Sequence, residues 1–192
     1  MIFFAAQRFF LVVGVMLLLA GCAQNTVRLV YTPADPEMVP QSKAPSICVV
    51  AVQDIRTKTA IGERSDGTEF LPESSVAAWF TQSIAAELTR QGFVVTTAPT
   101  EAVAAQGPAQ YILISTIQDV WLKENSSTLY DCKMTLSIVL KGRSTPAITN
   151  TFNSSLSRRV VPLSKVPSEM LTEAMGDIVR PLAHFIKIKV MP

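Results

Sequence analysis

The side chains able to do chemistry are few, with three Cys and one His in 192 residues. Cys22 is the most distinctive of them. It stands directly after Leu19-Ala20-Gly21, small residues that close an apolar run and suit a cleavage between Gly21 and Cys22. Cys48 and Cys132 both fall on predicted core strands. In an oxidising compartment they are candidates for a disulfide if the strands are neighbours and the Cβ atoms face each other. Buried thiols acting as core residues are the alternative. His184 lies beside Lys187 without the partners that a catalytic triad or a zinc site requires. Gly62 and Gly67 reproduce the glycine spacing of a phosphate-binding loop. Thr68 and Glu69 stand where that chemistry needs Lys and then Ser or Thr. The sequence therefore nominates no catalytic set, metal site or nucleotide site. Asp54 and Arg56, two apart on one strand, point to the same face. With Glu63, Arg64 and Asp66 of the following loop they form a candidate partner surface. A local ion pair that only orients the loop is the blander alternative.

Cys22 gains meaning from what precedes it. Arg8 is a lone positive charge, Phe9 to Leu19 is apolar, and the small residues follow at once. A charged start, a short apolar run and a small-residue cut describe a secretory signal peptide. The uninterrupted run is shorter than the roughly 20 residues of a membrane-spanning helix. Leu19-Ala20-Gly21-Cys22 resembles the bacterial lipobox. The resemblance implies that residues 1–21 are removed and that Cys22 carries a diacylglycerol and an N-acyl chain. Several acyl chains hold a protein firmly where one holds it only marginally. The absence of Asp at position 23 resembles outer-membrane sorting in enteric bacteria. These resemblances place the chain on the periplasmic face of the outer membrane, bound to the bilayer by its lipid.

Composition narrows the body. Apolar residues make up 48% and charged residues 17%, which suits a packed domain and not a disordered chain. The net charge of +2 lacks the basic excess of a nucleic-acid protein. Residues 22–46, with Pro33, Pro36, Pro40 and Pro45, read as an extended lipidated tether. The alternating run Val27 to Tyr31 is a candidate strand on a sheet edge. One domain follows over residues 47–192.

The body opens with Ile47 to Val52, a continuous apolar run expected to form a buried strand. Residues 55–73 read as a polar loop. Pro72 with Ser74 or Ser75 starts a helix whose stripe is Val76, Phe80, Ile84 and Leu88, and Gly92 ends it. Phe93 to Thr96 is a second short strand, so a parallel crossover is expected. Glu101 to Gln106 reads as a helical turn or two. Tyr111 to Trp121, Thr128 to Leu140 and Ile148 to Arg158 read as three strands. The middle one alternates Cys132, Met134, Leu136, Ile138 and Leu140 against polar residues. A last helix opens at Pro167-Ser168, and Pro181 should kink or end it. The pattern is β-α-β-(α)-β-β-β-α: an α+β two-layer sandwich with a mixed, mostly antiparallel sheet and helices on one face.

The body resembles the YajG-type bacterial lipoproteins. The resemblance lies in Val50-Ala51-Val52-Gln53-Asp54-Ile55-Arg56 with Ile61-Gly62, in Glu87-Leu88-Thr89-Arg90-Gln91-Gly92-Phe93, and in Tyr111-Ile112-Leu113-Ile114. The order of elements is also similar to the amino-terminal domain of TolB. The YajG-type family has no assigned enzymatic activity, so the resemblance implies no catalysis. The first expectation is a non-catalytic domain that binds or scaffolds another envelope component, an envelope protein. No cofactor is expected beyond the covalent lipid. Two other classes are open. An auxiliary lipoprotein of a lipid-exporting ABC-type transporter would need an open apolar groove, with Trp121 or Phe185 as its lining. A cell-wall hydrolase would need acidic or nucleophilic residues clustered in a cleft.

Overall fold

The structure is a computed structural model that describes residues 25–33, 44–143, 145–161, 163 and 165–190. Gly21, Cys22, the signal segment and residues 34–43 of the proline-rich run lie outside the described residues.

The spine of the fold is a long antiparallel hairpin of β7 (Tyr111–Ser126) and β8 (Leu129–Gly142), continued by β9 (Ile148–Arg159). Alternation drives it. Cys132, Met134, Leu136, Ile138 and Leu140 are all buried on one face of β8, as the sequence pattern predicts. In β7 the buried positions are odd up to Ile117 and even from Val120 onward. A bulge between Ile117 and Asp119 adds the residue that changes the parity and keeps both halves facing the core.

Short strands line the other side of β7 in two groups. Along its first half lie β2 (Ser46–Val50) and β6 (Val94–Ala98), all parallel. Along its second half lie β4 (Gly62–Glu63), β5 (Glu69–Pro72) and β1 (Thr26–Val27), while β3 (Gln53–Asp54) bridges the middle. Among the described residues there are three helices: α1 (Val76–Arg90), α2 (Glu101–Gln106) and α3 (Val166–Val190). Ser75 caps α1, its Oγ accepting from the Ala78 N–H at 3.2 Å, and Gly92 follows with φ 90°. Phe80, Ile84 and Leu88 of α1 meet Leu171, Ile178 and Leu182 of α3 in one core with the sheet. Each such side chain contributes about 1.5–3 kcal/mol by leaving water.

The chain is thus α+β with a curled mixed sheet, and it differs from the sequence expectation in four places. First, the helices do not share one face. Cys48, Val50 and Ala98 point away from the main core and pack with Ala104 of α2 and Ala109. Second, residues 55–73 are not simply a loop, because β4 and β5 extend the sheet there. Third, Pro181 does not end the last helix, which runs through it to Val190. Pro181 supplies no N–H for the Asp177 carbonyl, but Ile178, Leu182 and Ile186 on either side are fully buried and hold the path. Fourth, residues 25–33 are docked and not a free tether, the expected edge strand being present there in part as β1. Val27 is buried, and Leu29 and Tyr31 pack against the core.

The disulfide is corrected as well. Cys48 and Cys132 are unbonded, buried thiols. Cys48 sits beside Ile112 and Cys132 beside Leu122 of the same strand, about 30 Å apart. A disulfide requires Cα atoms within about 7 Å. Burial, helped by the negative charges of Asp119 and Glu173, pushes the Cys132 thiol up to about 12.

Candidate functional site

The described chain begins with a docked residue. The Asn25 carbonyl accepts from the Leu71 N–H at 2.9 Å, and its side-chain Oδ1 accepts from Arg64 Nη1 at 3.2 Å. The next turn of the ladder pairs the Val27 carbonyl with the Glu73 N–H at 2.9 Å. Arg64 also donates through Nε to Glu124 Oε2 at 3.2 Å and lies 5.7 Å from the centre of the Phe70 ring. Glu124 is only 6% exposed, so its charge depends on that guanidinium. Tyr130 leans on the same carboxylate; burial first, then the hydrogen bond to Glu124, raises its phenol above the ordinary value. Four elements therefore meet at Arg64: β1, β5, the end of β7 and the start of β8.

From Asn25 the chain crosses the helices as a strap. Ser168 Oγ donates to the Arg28 carbonyl at 2.7 Å, and Thr172 Oγ1 lies 2.9 Å from the Val30 carbonyl. Tyr31 donates its hydroxyl to Glu87 Oε2 at 2.8 Å. Glu87 is a buried carboxylate of α1, neutralised by Arg90 through Nε at 2.9 Å and through Nη2. Burial is the main cause that pushes the Tyr31 phenol up to about 12. The Glu87 hydrogen bond and charge add to it, and Arg180 opposes it.

The five residues expected to form a partner surface do not come together. Asp54 is level with Ile117 of β7 and Glu63 with Lys123, about 20 Å further along. Arg56 binds Asp54 in a two-pronged pair, Nε to Oδ1 at 2.9 Å and Nη2 to Oδ2 at 2.7 Å, and reaches the Ala60 carbonyl at 3.3 Å. The Arg56 side chain is 7% exposed. The pair braces the turn into β4, and the Arg56 hydrogen bond holds the Asp54 carboxyl below its ordinary range against the effect of burial. Asp66 accepts from the Thr68 N–H at 2.9 Å and from its hydroxyl at 2.6 Å, shaping the turn with Gly67 at φ 82°. Of the five, Arg64 alone reaches across the fold to a distant part of the chain. The sequence assigns no site role to Asn25, Tyr31, Glu87 or Glu124. The one available signal is a carboxylate set within an apolar stripe, as Glu87 is beside Ile84 and Leu88.

An open groove of about 720 Å³ lies between α1 and the ends of β2 and β6, walled by Ala51, Ala77, Thr81, Ala85 and Ala98. Neither aromatic expected to line a lipid groove is in it. Trp121 lies under Lys58 Nζ at 4.7 Å, and Phe185 stacks edge-on against Phe152 at 5.9 Å. Among the described residues no group of three or more His, Cys, Asp or Glu side chains could hold a metal ion, and no helix is long and apolar enough to cross a membrane.

The sequence matches no protein-family model and no curated protein. Its fold is similar to solved structures. Protein XCC0632 from Xanthomonas campestris, assigned to the family DUF330, is 11% identical, with TM-score 0.58 over 85% of this chain and 94% of that one. The PelC dodecamer from Paraburkholderia phytofirmans is 13% identical, with TM-score 0.50 over 79% of this chain and 94% of that one. Lipoprotein GNA1162 from Neisseria meningitidis, 12% identical, covers 73% of this chain and 99% of its own at TM-score 0.36, too slight a likeness to add to the fold. Identities this low speak for shared architecture alone.

Proposed function

We propose that the chain is a lipid-anchored envelope lipoprotein of the YajG type, with a non-catalytic periplasmic body that binds another envelope component. The observation that carries this reading is the lipobox, Leu19-Ala20-Gly21-Cys22, at the end of a charged and then apolar leader. The body supports it from the other side. Its first described residues are fixed to the fold within three positions of Cys22, so a lipid on that cysteine fastens the whole domain. The absence of Asp after Cys22 assigns it to the outer membrane.

The partner meets the outer face of β8 and β9. Thr135 donates to Asn153 at 2.9 Å and Ser137 pairs with Thr151 at 2.9 Å, forming a polar surface with β9 at its rim. A rim strand has spare backbone donors and acceptors, which a second chain can use by strand addition.

Replacing the anchor residue tests the first half. Cys22→Ser should accumulate as an uncleaved precursor that takes up no labelled palmitate. Mature, membrane-held protein in that variant would end the lipoprotein reading. Mass spectrometry after crosslinking in cells tests the second half. A reproducible envelope protein crosslinked to β9 is the expected result. Stoichiometric phospholipid beyond the anchor, with no protein, would replace it with lipid transport.

A further inference from the structure

We infer that one end of the molecule, the β9–α3 loop and the tip of the β7–β8 hairpin, lies against the bilayer itself, with Val161 and Leu163 seated among the lipid headgroups. The inference rests on the acylation of Cys22.

Covalent reach sets the distance. Two residues, Ala23 and Gln24, separate Cys22 from Asn25, so three peptide links keep the two Cα atoms within about 11 Å of each other. Register sets the direction. Thr26 pairs with Leu71, Phe70 with Gly62, and Gly62 with Leu122, so Asn25 stands near the level of Leu122, close to the hairpin tip. β1 runs parallel to β5 and β5 antiparallel to β4, which follows β7. The chain therefore arrives at Asn25 heading away from the tip.

The residues described between β9 and α3 occupy that same end. The Val160 N–H donates to the Thr128 carbonyl at the hairpin tip, at 2.9 Å. The far side of the loop reaches Arg28 through Ser168. Val161 is 73% exposed and Leu163 65%, the two most exposed large apolar residues among those described. Arg159 and Lys165 stand beside them, both exposed. Exposed apolar side chains flanked by cations suit the boundary between acyl chains and anionic headgroups. Asp66 and Glu169 also lie at this end, so the apolar pair and not net charge carries the contact. A soluble protein partner is disfavoured by distance, since a bilayer holding Cys22 already stands within reach of the loop.

The test uses the full acylated protein in vesicles of phosphatidylethanolamine and phosphatidylglycerol with brominated acyl chains. Single variants Val161→Trp and Leu163→Trp add a fluorophore at exposed positions. Val103→Trp adds one to α2, on the far end of the hairpin, at a residue 50% exposed. Intact mass establishes acylation of Cys22 in each preparation. The expected result is loss of most of the added emission at 161 and 163 and none at 103. Acylated protein with no quenching at 161 and 163, or with equal quenching at 103, overturns the inference and leaves the lipoprotein reading standing. Unacylated Cys22 overturns both.

Discussion

Tyr31 shows how much one side chain carries. Its hydroxyl is the donor that a buried carboxylate, Glu87, receives from the strap. Tyr31→Phe removes a hydrogen bond to a charged group and should cost about 1.5 kcal/mol in denaturant unfolding. The pH dependence has a definite sign. The folded phenol titrates near 12, above its ordinary value of 10.0, so folding favours the protonated form. The stability it supplies is complete below about pH 10 and is lost as pH rises toward 12. An ultraviolet titration should find a late-titrating phenol that is missing in Tyr31→Phe. A phenol titrating near 10 instead would mean that the strap is not docked. No feature of the sequence marks Tyr31 for this task. It reads there as one apolar beat of a short alternating run, because its partner Glu87 lies far along the chain and inside a helical stripe. Asp54 and Arg56, by contrast, are visible at once, and what the sequence leaves open is only whether their charges face outward. The two-pronged pair resolves it, since each has spent its charge on the other.

At the scale of elements, the long pieces are legible and the short ones are not. The helix capped by Ser75 and ended at Gly92 and the alternation of β8 follow from local rules, so their bounds agree closely with expectation. β4 and β5 are two and four residues long and carry Glu63, Glu69 and Pro72, which read as loop. They exist because Ile61 and Phe70 bury themselves and draw the polar residues between them into register. α2 is visible as a helix, but its side of the sheet depends on which way Cys48 and Val50 point, and a continuous apolar run does not say. Gly62 makes the β4 pairing testable. A Cβ there would stand 2.0 Å from the Leu122 carbonyl oxygen. Gly62→Ala should therefore lift β4 from β7 at a cost of about 1–3 kcal/mol. Hydrogen exchange should quicken at the Leu122 N–H, which is bonded to the Ile61 carbonyl at 2.8 Å. Unchanged exchange at that amide would mean that β4 tolerates the methyl and that the close approach is not what selects glycine.

The whole molecule is built along the hairpin, and the two cysteines mark its opposite ends. Cys48 and Cys132 should resist thiol reagents in the folded protein, react together on unfolding, and leave the melting temperature indifferent to reductant. A melting temperature lowered by reductant would show a bond that the register forbids. The length of the hairpin also separates the tasks: lipid-facing loop at one end, α2 and the open groove toward the other, polar sheet face between. The strap adds an order in time. Arg28 bonds to Ser168, 140 positions later, so although β1 can pair with β5 early, the strap beyond it has no full seat until the last helix has been made. A chain that crosses a membrane amino terminus first must wait with this segment idle. If its cysteine is already acylated by then, the helix comes to the strap, and the act of closing the fold draws the finished body down onto the bilayer.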